Sequence, residues 1–348
     1  MIDLFSDTKT RPTPAMRKAI YDAEVGDDHF GEDPTVNALV EYGADLLGFE
    51  SALFLPSATM ANQIAIKVHT RPGDAVLCHG DCHINRYESG TPATLSGVTL
   101  DVLPGERGIF TGAQVRSALR PSGPYFPPTR LVCIENTHNY CGGTVWSEAE
   151  LADVATAARE NHLALHLDGS RLFNAAVQLR VEGKRLCAPF DSVSLCLSKG
   201  LGAPAGALLL GSKSFVEAAR RWKHALGGAM RQSGILAAGG LYALKHHIPL
   251  LQRDHENAQR LAAGLAETPG VRLDPWPETN LVFVGVSGTN VSADMLRAQL
   301  GAEGVLCSGA GERLRFVTHL DISEKDIDTA LAAIRRVLGP GSPARSAS

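Results

Sequence analysis

Long apolar runs are missing from this chain. No stretch of its 348 residues approaches the ~18 apolar positions that a membrane span needs, so no transmembrane helix and no membrane partner are expected. The opening MIDLFSDTKT lacks a basic segment followed by an apolar one, so no secretory leader is expected either. A preponderance of one charge is missing too: 33 Lys and Arg face 37 Asp and Glu, without a basic block or stripe. A net charge of −4 distributed in this way argues against nucleic acid as a partner. Cysteine is sparse and odd in number, seven in all, which excludes a disulfide framework and indicates reduced thiols. Together these absences describe a soluble, cytoplasmic protein.

Two further patterns are incomplete. Cys78-His79-Gly80-Asp81-Cys82-His83 crowds metal-ligand types together, but its spacing is C-x3-C and no second knuckle follows at zinc-finger distance. The expected reading is buried thiols and a separately used His83, with no metal. Gly200, Gly202 and Gly206 do not have the G-x-G-x-x-G spacing of a dinucleotide loop, which sets aside a nicotinamide-dependent oxidoreductase.

What is present is enough apolar residue, 44%, for a sizeable core, organised as a main domain and a smaller one. Asp33-Pro34 reads as an N-cap and first helical position, with Val36, Leu39, Val40, Leu46 and Leu47 as the apolar stripe of a helix over about 35–47. Ser147-Glu148-Ala149-Glu150 is a capping box that opens a helix to about 160. Short apolar runs at 52–55, 75–77, 131–134, 163–167, 193–197 and 207–210 alternate with helical patterns, which predicts an α/β domain with a mainly parallel sheet. Beyond Arg221 the rhythm changes to a long helical pattern over 233–267 broken near Pro249, then short strands and helices of an α+β domain. The expected boundaries are 1–245 for the large domain with its N-terminal arm, 246–338 for the small one, and 339–348 for a disordered Gly/Pro/Ser-rich tail.

Ligands of parallel α/β sheets sit at the carboxyl ends of strands, which directs attention to the residues after each apolar run. LALHL ends in Asp168-Gly169-Ser170-Arg171, and SVSLCLS ends in Lys199. Their separation of 31 positions (199 − 168) matches one crossover and one strand, so both belong at one edge of neighbouring strands. The run ALFLP leads into Ser57-Ala58-Thr59, whose small residues open a helix with free N–H groups suited to a phosphate. A lysine beside apolar surface favours its neutral amine, the form that attacks an aldehyde. Pyridoxal phosphate offers the matching aldehyde, phosphate and ring nitrogen.

The stretches SDTKTRPT, VGDDHFGEDPT, PSATMANQ, ENTHN, HLDGSRLFNA, LSKGLGAPAG, GGAMRQSGILAAGG and RFVTHLDIS occur in the order seen in threonine aldolases, and the chain resembles that family from Ser6 to about Leu338. These are fold type I pyridoxal-phosphate enzymes of the β-eliminating lyase superfamily, in which a large mainly parallel α/β domain carries a small C-terminal α+β domain. The resemblance implies retro-aldol cleavage of L-threonine, L-allo-threonine and related β-hydroxy-α-amino acids to glycine and an aldehyde. It also implies a homotetramer, or at least a dimer, with active sites at subunit interfaces. By the same resemblance Lys199 is the Schiff-base lysine, Asp168 the ring-nitrogen partner and His83 the histidine stacked on the ring. Ala58 and Thr59 form the phosphate seat, Arg171 lies beside the phenolic oxygen, and Arg231 reaches a phosphate across the interface. Arg315, assisted by Ser6, clamps the substrate carboxylate, a task suited to a planar fork.

The general base is either His83 or a water near the phosphate. Another lyase, an aminotransferase or a catalytically silent protein on the same cofactor would share Lys199 and Asp168. Ala58 stands where the family usually has glycine, which implies a tighter phosphate loop, and three further departures bear on specificity: Tyr125 where a histidine associated with the substrate hydroxyl is common, His29-Phe30 for Val-Tyr, and His224 for lysine. They point to bulkier substrates such as phenylserine.

Overall fold

The computed structural model describes residues 1–338; the expected disordered tail, 339–348, lies outside the described residues. The chain divides into two compact units, Pro12–Ile248 and Met1–Arg11 with the chain from Pro249 onward. The N-terminal arm, expected with the large domain, therefore belongs to the smaller unit. The reason is backbone pairing: Ile2–Asp3 lies parallel to Val305–Leu306, a partner some 300 residues away that no local pattern shows.

In the large unit seven strands form one sheet, in the order Ser51–Leu55, Ala207–Gly211, Ser192–Cys196, Ala164–Asp168, Thr129–Glu135, Ala75–His79, Thr99–Leu103. All are parallel except Ala207–Gly211, which is antiparallel to both neighbours. The edge strand Thr99–Leu103 was not expected, because in TLDVL the polar Thr99 and Asp101 interrupt the apolar residues and leave no apolar run. The two cap signatures act as expected. Asp33 accepts from the amides of Thr35 and Val36 at the start of helix Pro34–Leu47, and the Ser147/Glu150 box starts helix Glu148–Glu160.

Both faces of the sheet are covered over its central strands, which are largely apolar, with His166, Asp168, Ser192 and Ser194 as buried polar exceptions. Leu53, Leu55, Ala207 and Leu209 pack on helices Ala58–His69 and Lys213–Ala225. On the other face the side chain of Leu208 approaches Gly43 of helix Pro34–Leu47, where a Cβ would meet it at 2.3 Å. The return into Ala207–Gly211 is possible because Gly206 adopts φ +105°; a Cβ there would come within 2.5 Å of the Phe54 ring. That turn closes with Leu197 N–H donating to Gly206 O at 3.0 Å, and Lys199 lies inside it.

The smaller unit has a four-stranded antiparallel sheet, Ser308–Ala310, Arg313–Val317, Leu281–Gly285, Arg272–Leu273, with Leu261, Leu265, Val282, Phe316 and Ile334 in its core. Asp254 is buried in the first turn of helix Leu251–Ala266. Burial pushes its carboxyl up to about 8, with Arg253 opposing and Asp7 and Asp321 adding. A carboxyl raised in this way keeps a proton that the unfolded chain releases, so its contribution is complete below about 3.8 and is lost as pH rises through about 8. Asp254→Asn is therefore expected to leave Tm near its parent value at pH 4.5 and to raise it by several degrees at pH 8, as scanning calorimetry would show. A gain that did not change with pH would contradict this assignment.

Candidate active site

Asp168 ends its strand directly opposite Ser194 of the adjacent parallel strand, and the chain then runs on to Lys199. The separation of 31 positions thus corresponds to one right-sized crossover, through helices Leu172–Leu179 and Gly183–Cys187. Asp168 is 3% exposed and accepts hydrogen bonds from Asn62 Nδ2 at 2.9 Å and the Ser170 amide at 3.0 Å. Burial alone would raise its pKa. The charges of His83 and Lys199, together with these two donors, outweigh burial and hold the carboxyl below its ordinary value.

His83 begins the short helix after strand Ala75–His79. Its amide donates to Glu135 Oε2 at 2.7 Å, and its Nδ1 to Glu88 Oε1 at 2.7 Å. Burial lowers the His83 pKa, but the bond to Glu88 and the charges of Asp168 and Glu88 raise it by more, with Lys199 opposing, and the net result lies above 6.5. Glu88, buried, also accepts from Asn62 Nδ2 at 2.8 Å and from Gln63 Nε2. Sequence reasoning missed Glu88, Glu135 and Asn62. Only Asn62-Gln63 carried a signal, two amides inside the apolar stretch MANQIAI; Glu88 sits in the unmarked polar run RYESG.

Glu88→Gln would set an amide donor against donors from Asn62 and Gln63, an expected cost of about 1–3 kcal/mol. It should also lower the His83 pKa, read by NMR titration. In the parent the His83 contribution to stability is fully present below 6.5 and is lost as pH rises through the higher folded value; the variant should lack that loss.

Strand Ser51–Leu55 runs parallel to the Asp168 strand, so helix Ala58–His69 starts at the same edge of the sheet. The Ser57 side chain caps the Met60 amide at 3.2 Å, and the amides of Ala58 and Thr59 project from the helix start. Arg171, 5% exposed, donates to Asn139 Oδ1 at 3.3 Å. Lys199 is half-buried, and its charge acts on both Asp168 and His83. Lys199, Asp168, His83, Ala58 and Thr59 therefore gather at one edge.

Arg231 is engaged with Asp27 at 3.2 Å. Tyr125, 89% exposed, precedes the amino end of strand Thr129–Glu135, at the edge opposite Asp168, roughly 20 Å away at ~3.3 Å per residue. Ser6 and Arg315 belong to the smaller unit, where Arg315 Nη1 donates to Phe5 O at 3.3 Å and Ser6 Oγ accepts from the Thr8 amide at 3.2 Å. His29 and His224, two of the departures, come together with ring centroids 5.2 Å apart. The donors of the Cys78–His83 stretch do not converge. Cys78 and Cys82 are free, buried thiols, His79 meets His138 edge-on, and His83 turns to Glu88. A cavity of about 1050 Å³ opens at the amino ends of the Asp168 and Lys199 strands, so volume does not mark the site.

The donor set fits pyridoxal phosphate: an ionised buried carboxylate for a protonated ring nitrogen, an amine for the aldehyde, helix amides for a phosphate, and an imidazole fixed by Glu88. A mainly parallel sheet with this set at the carboxyl edge defines a pyridoxal-phosphate enzyme of fold type I. The profile of the family "Beta-eliminating lyase" matches residues 3–289. Low-specificity L-threonine aldolase 1 of Arabidopsis thaliana is 42% identical over 344 residues, 97% of this chain and 96% of that protein. The low specificity L-threonine aldolase of Escherichia coli strain K12 is 41% identical, covering 97% and 99%. Among solved structures, the Leishmania major threonine aldolase superposes with TM-score 0.84 at 21% identity, covering 97% of this chain and 100% of that one, a likeness of fold. The chain belongs to the threonine aldolase branch of the beta-eliminating lyase family.

Proposed function

We propose that the protein cleaves L-threonine, L-allo-threonine and related β-hydroxy-α-amino acids to glycine and an aldehyde, using pyridoxal 5′-phosphate. The observation that carries this reading is the buried Asp168 carboxylate, kept ionised beside Lys199 and His83; the full-length similarity to low-specificity L-threonine aldolases supports the reaction type. When bound, the cofactor supplies an electron sink for the pair released as the Cα–Cβ bond breaks. Asp168 would keep a proton on the ring nitrogen. Lys199 Nζ would supply the amine that holds the aldehyde carbon. The amides of Ala58 and Thr59 would receive the phosphate, with Arg231 reaching a phosphate across the subunit interface, and Arg171 would serve the phenolic oxygen.

His83 donates from Nδ1 to Glu88, which leaves Nε2 to take the β-hydroxyl proton; a water near the phosphate is the alternative base. The aldehyde then leaves and Cα takes a proton to give glycine. Arg315, with Ser6, is assigned to the substrate carboxylate, whose orientation selects the bond that breaks. We assign the protein to a homotetramer or dimer in the cytoplasm. Tyr125, at the far edge of its own sheet, would act on substrate only in a neighbouring subunit.

Incubation with L-threonine should yield glycine and acetaldehyde in equal amounts, measured by chromatography and by an aldehyde-reductase coupled assay. Ammonia or a 2-keto acid in their place would assign a different lyase or an aminotransferase. His83→Asn should lower kcat by ~10²-fold if His83 is the base; unchanged turnover at unchanged cofactor affinity would assign the water instead. Phenylserine is expected to be a substrate, and turnover of threonine with none of phenylserine would reject the enlarged pocket.

A further inference from the structure

The interface between helix Ala58–His69 and the sheet should be apolar, yet it holds a row of polar side chains. Asn62 and His69 are seven positions apart, two helical turns, and so share one face of the helix. Ser192 and Ser194 share one face of their strand, as do His166 and Asp168 of the next strand, and the register sets His166 against Ser192 and Asp168 against Ser194. His166, Ser192 and Ser194 are fully buried, and Asn62 is 1% exposed. Four contacts join them in line: His69 Nε2 to Ser192 Oγ at 2.8 Å, Ser192 Oγ to His166 Nδ1 at 2.8 Å, His166 Nε2 to Asn62 Oδ1 at 3.1 Å, and Asn62 Nδ2 to Asp168 Oδ2 at 2.9 Å.

The direction of every proton in this line follows from its end. An ionised Asp168 only accepts, so Asn62 must turn its NH2 toward it, and its second N–H reaches Glu88 Oε1 at 2.8 Å. Asn62 Oδ1 must then accept, from Ser194 Oγ at 2.6 Å and from His166. His166 therefore carries its proton on Nε2, which makes Nδ1 an acceptor for the Ser192 hydroxyl. Ser192 Oγ in turn accepts from His69, which stacks on Phe215 with centroids 4.8 Å apart and lines the cavity at the opposite edge of the sheet. Burial keeps both rings neutral, pushing His166 down to about 3 and His69 to about 4.

We infer that His166 is a positioning residue for catalysis: as the fixed Nε2–H tautomer, in a one-way chain of donors from His69 to Asp168, it locks the Asn62 amide in the orientation that serves the cofactor's carboxylate. Without the His166 donor, Asn62 Oδ1 keeps only Ser194, and a flipped amide would set its oxygen against Asp168. The chain also polarises each bond in the same sense, which strengthens the last donor. The inference rests on Asp168 being the ring-nitrogen partner.

Histidine-selective 15N NMR on the full-length protein, with and without pyridoxal phosphate, tests it directly. His166 should show a protonated Nε2 and an unprotonated Nδ1 at every pH from 5 to 9; an Nδ1–H tautomer, or an imidazolium, overturns the inference. In kinetics, His166→Phe should weaken pyridoxal-phosphate binding and lower kcat for threonine by ~10-fold or more, as outer partners of a site do, with KM within about 2-fold. His166→Gln, which can donate to Asn62 and accept from Ser192, should restore most of both. Parent-like cofactor affinity and kcat in a folded His166→Phe variant, or a His166→Gln variant no better than His166→Phe, would also overturn it. If the ring-nitrogen role of Asp168 is wrong, the result differs: Asp168→Asn would bind cofactor as the parent does while the His166 tautomer stays as described.

Discussion

Lys199→Ala is expected to lose at least ~10³-fold in threonine cleavage, because the side chain proposed to form the covalent link is gone and no neighbour among the described residues replaces it. The described residues around it bear this out: Asp168 and Glu88 are acceptors, His83 is tied to Glu88, and Arg171 is engaged with Asn139. The holoenzyme should absorb near ~420 nm, as a lysine-linked pyridoxal does, and the variant should lose that band while keeping its fold. Its Tm should hold or change little, since Lys199 is half-buried at a turn and contributes no core packing. A variant that kept the band, or turned over within tenfold of the parent, would remove Lys199 from the reaction.

The second large effect belongs to Asp168→Asn, expected to reduce kcat by ~10²–10³-fold, in the range of removing one preorganised electrostatic partner. The change preserves shape but removes the charge proposed to keep the ring nitrogen protonated. It also withdraws a carboxylate that stabilises the charged form of His83, so the His83 pKa should fall toward its ordinary value. Two donors, Asn62 Nδ2 and the Ser170 amide, converge on Asp168, and an asparagine can accept both only through one oxygen. One of them is left unmatched, so a loss of about 1–3 kcal/mol in stability accompanies the kinetic defect. Asp168→Glu should not rescue, because the added methylene has no room at a position 3% exposed. Full activity in Asp168→Asn would remove the carboxylate from its place opposite the ring nitrogen.

Much of the fold was legible because it is written in local chemistry. Asp33-Pro34 and the Ser147/Glu150 box mark helix starts through contacts three residues long, and they form as read. The buried strands announced themselves as apolar runs, since helices cover both faces, whereas the exposed edge strand Thr99–Leu103 did not. Lys199 and Asp168 were legible for a topological reason. Parallel neighbours must be separated by a crossover, and 31 positions is that length.

The partners that make those residues work were not legible. Asn62 finds Glu88, Asp168 and Ser194 at 26, 106 and 132 positions along the chain, and nothing local specifies which strand will lie under its helix. The N-terminal arm joins the smaller unit for the same reason, through pairing with Val305–Leu306. Tyr125 could be named from the pattern of residues, but only the direction of its strand reveals that it lies at the far edge. The sequence by itself thus determined the elements and the placement of Lys199 and Asp168 at one edge of the sheet, because caps, periodicity and crossover length act over short range. Tertiary structure alone decided the environment of Asp168, because strand order and register choose which distant charges and donors face it, and together these hold its carboxyl below its ordinary value.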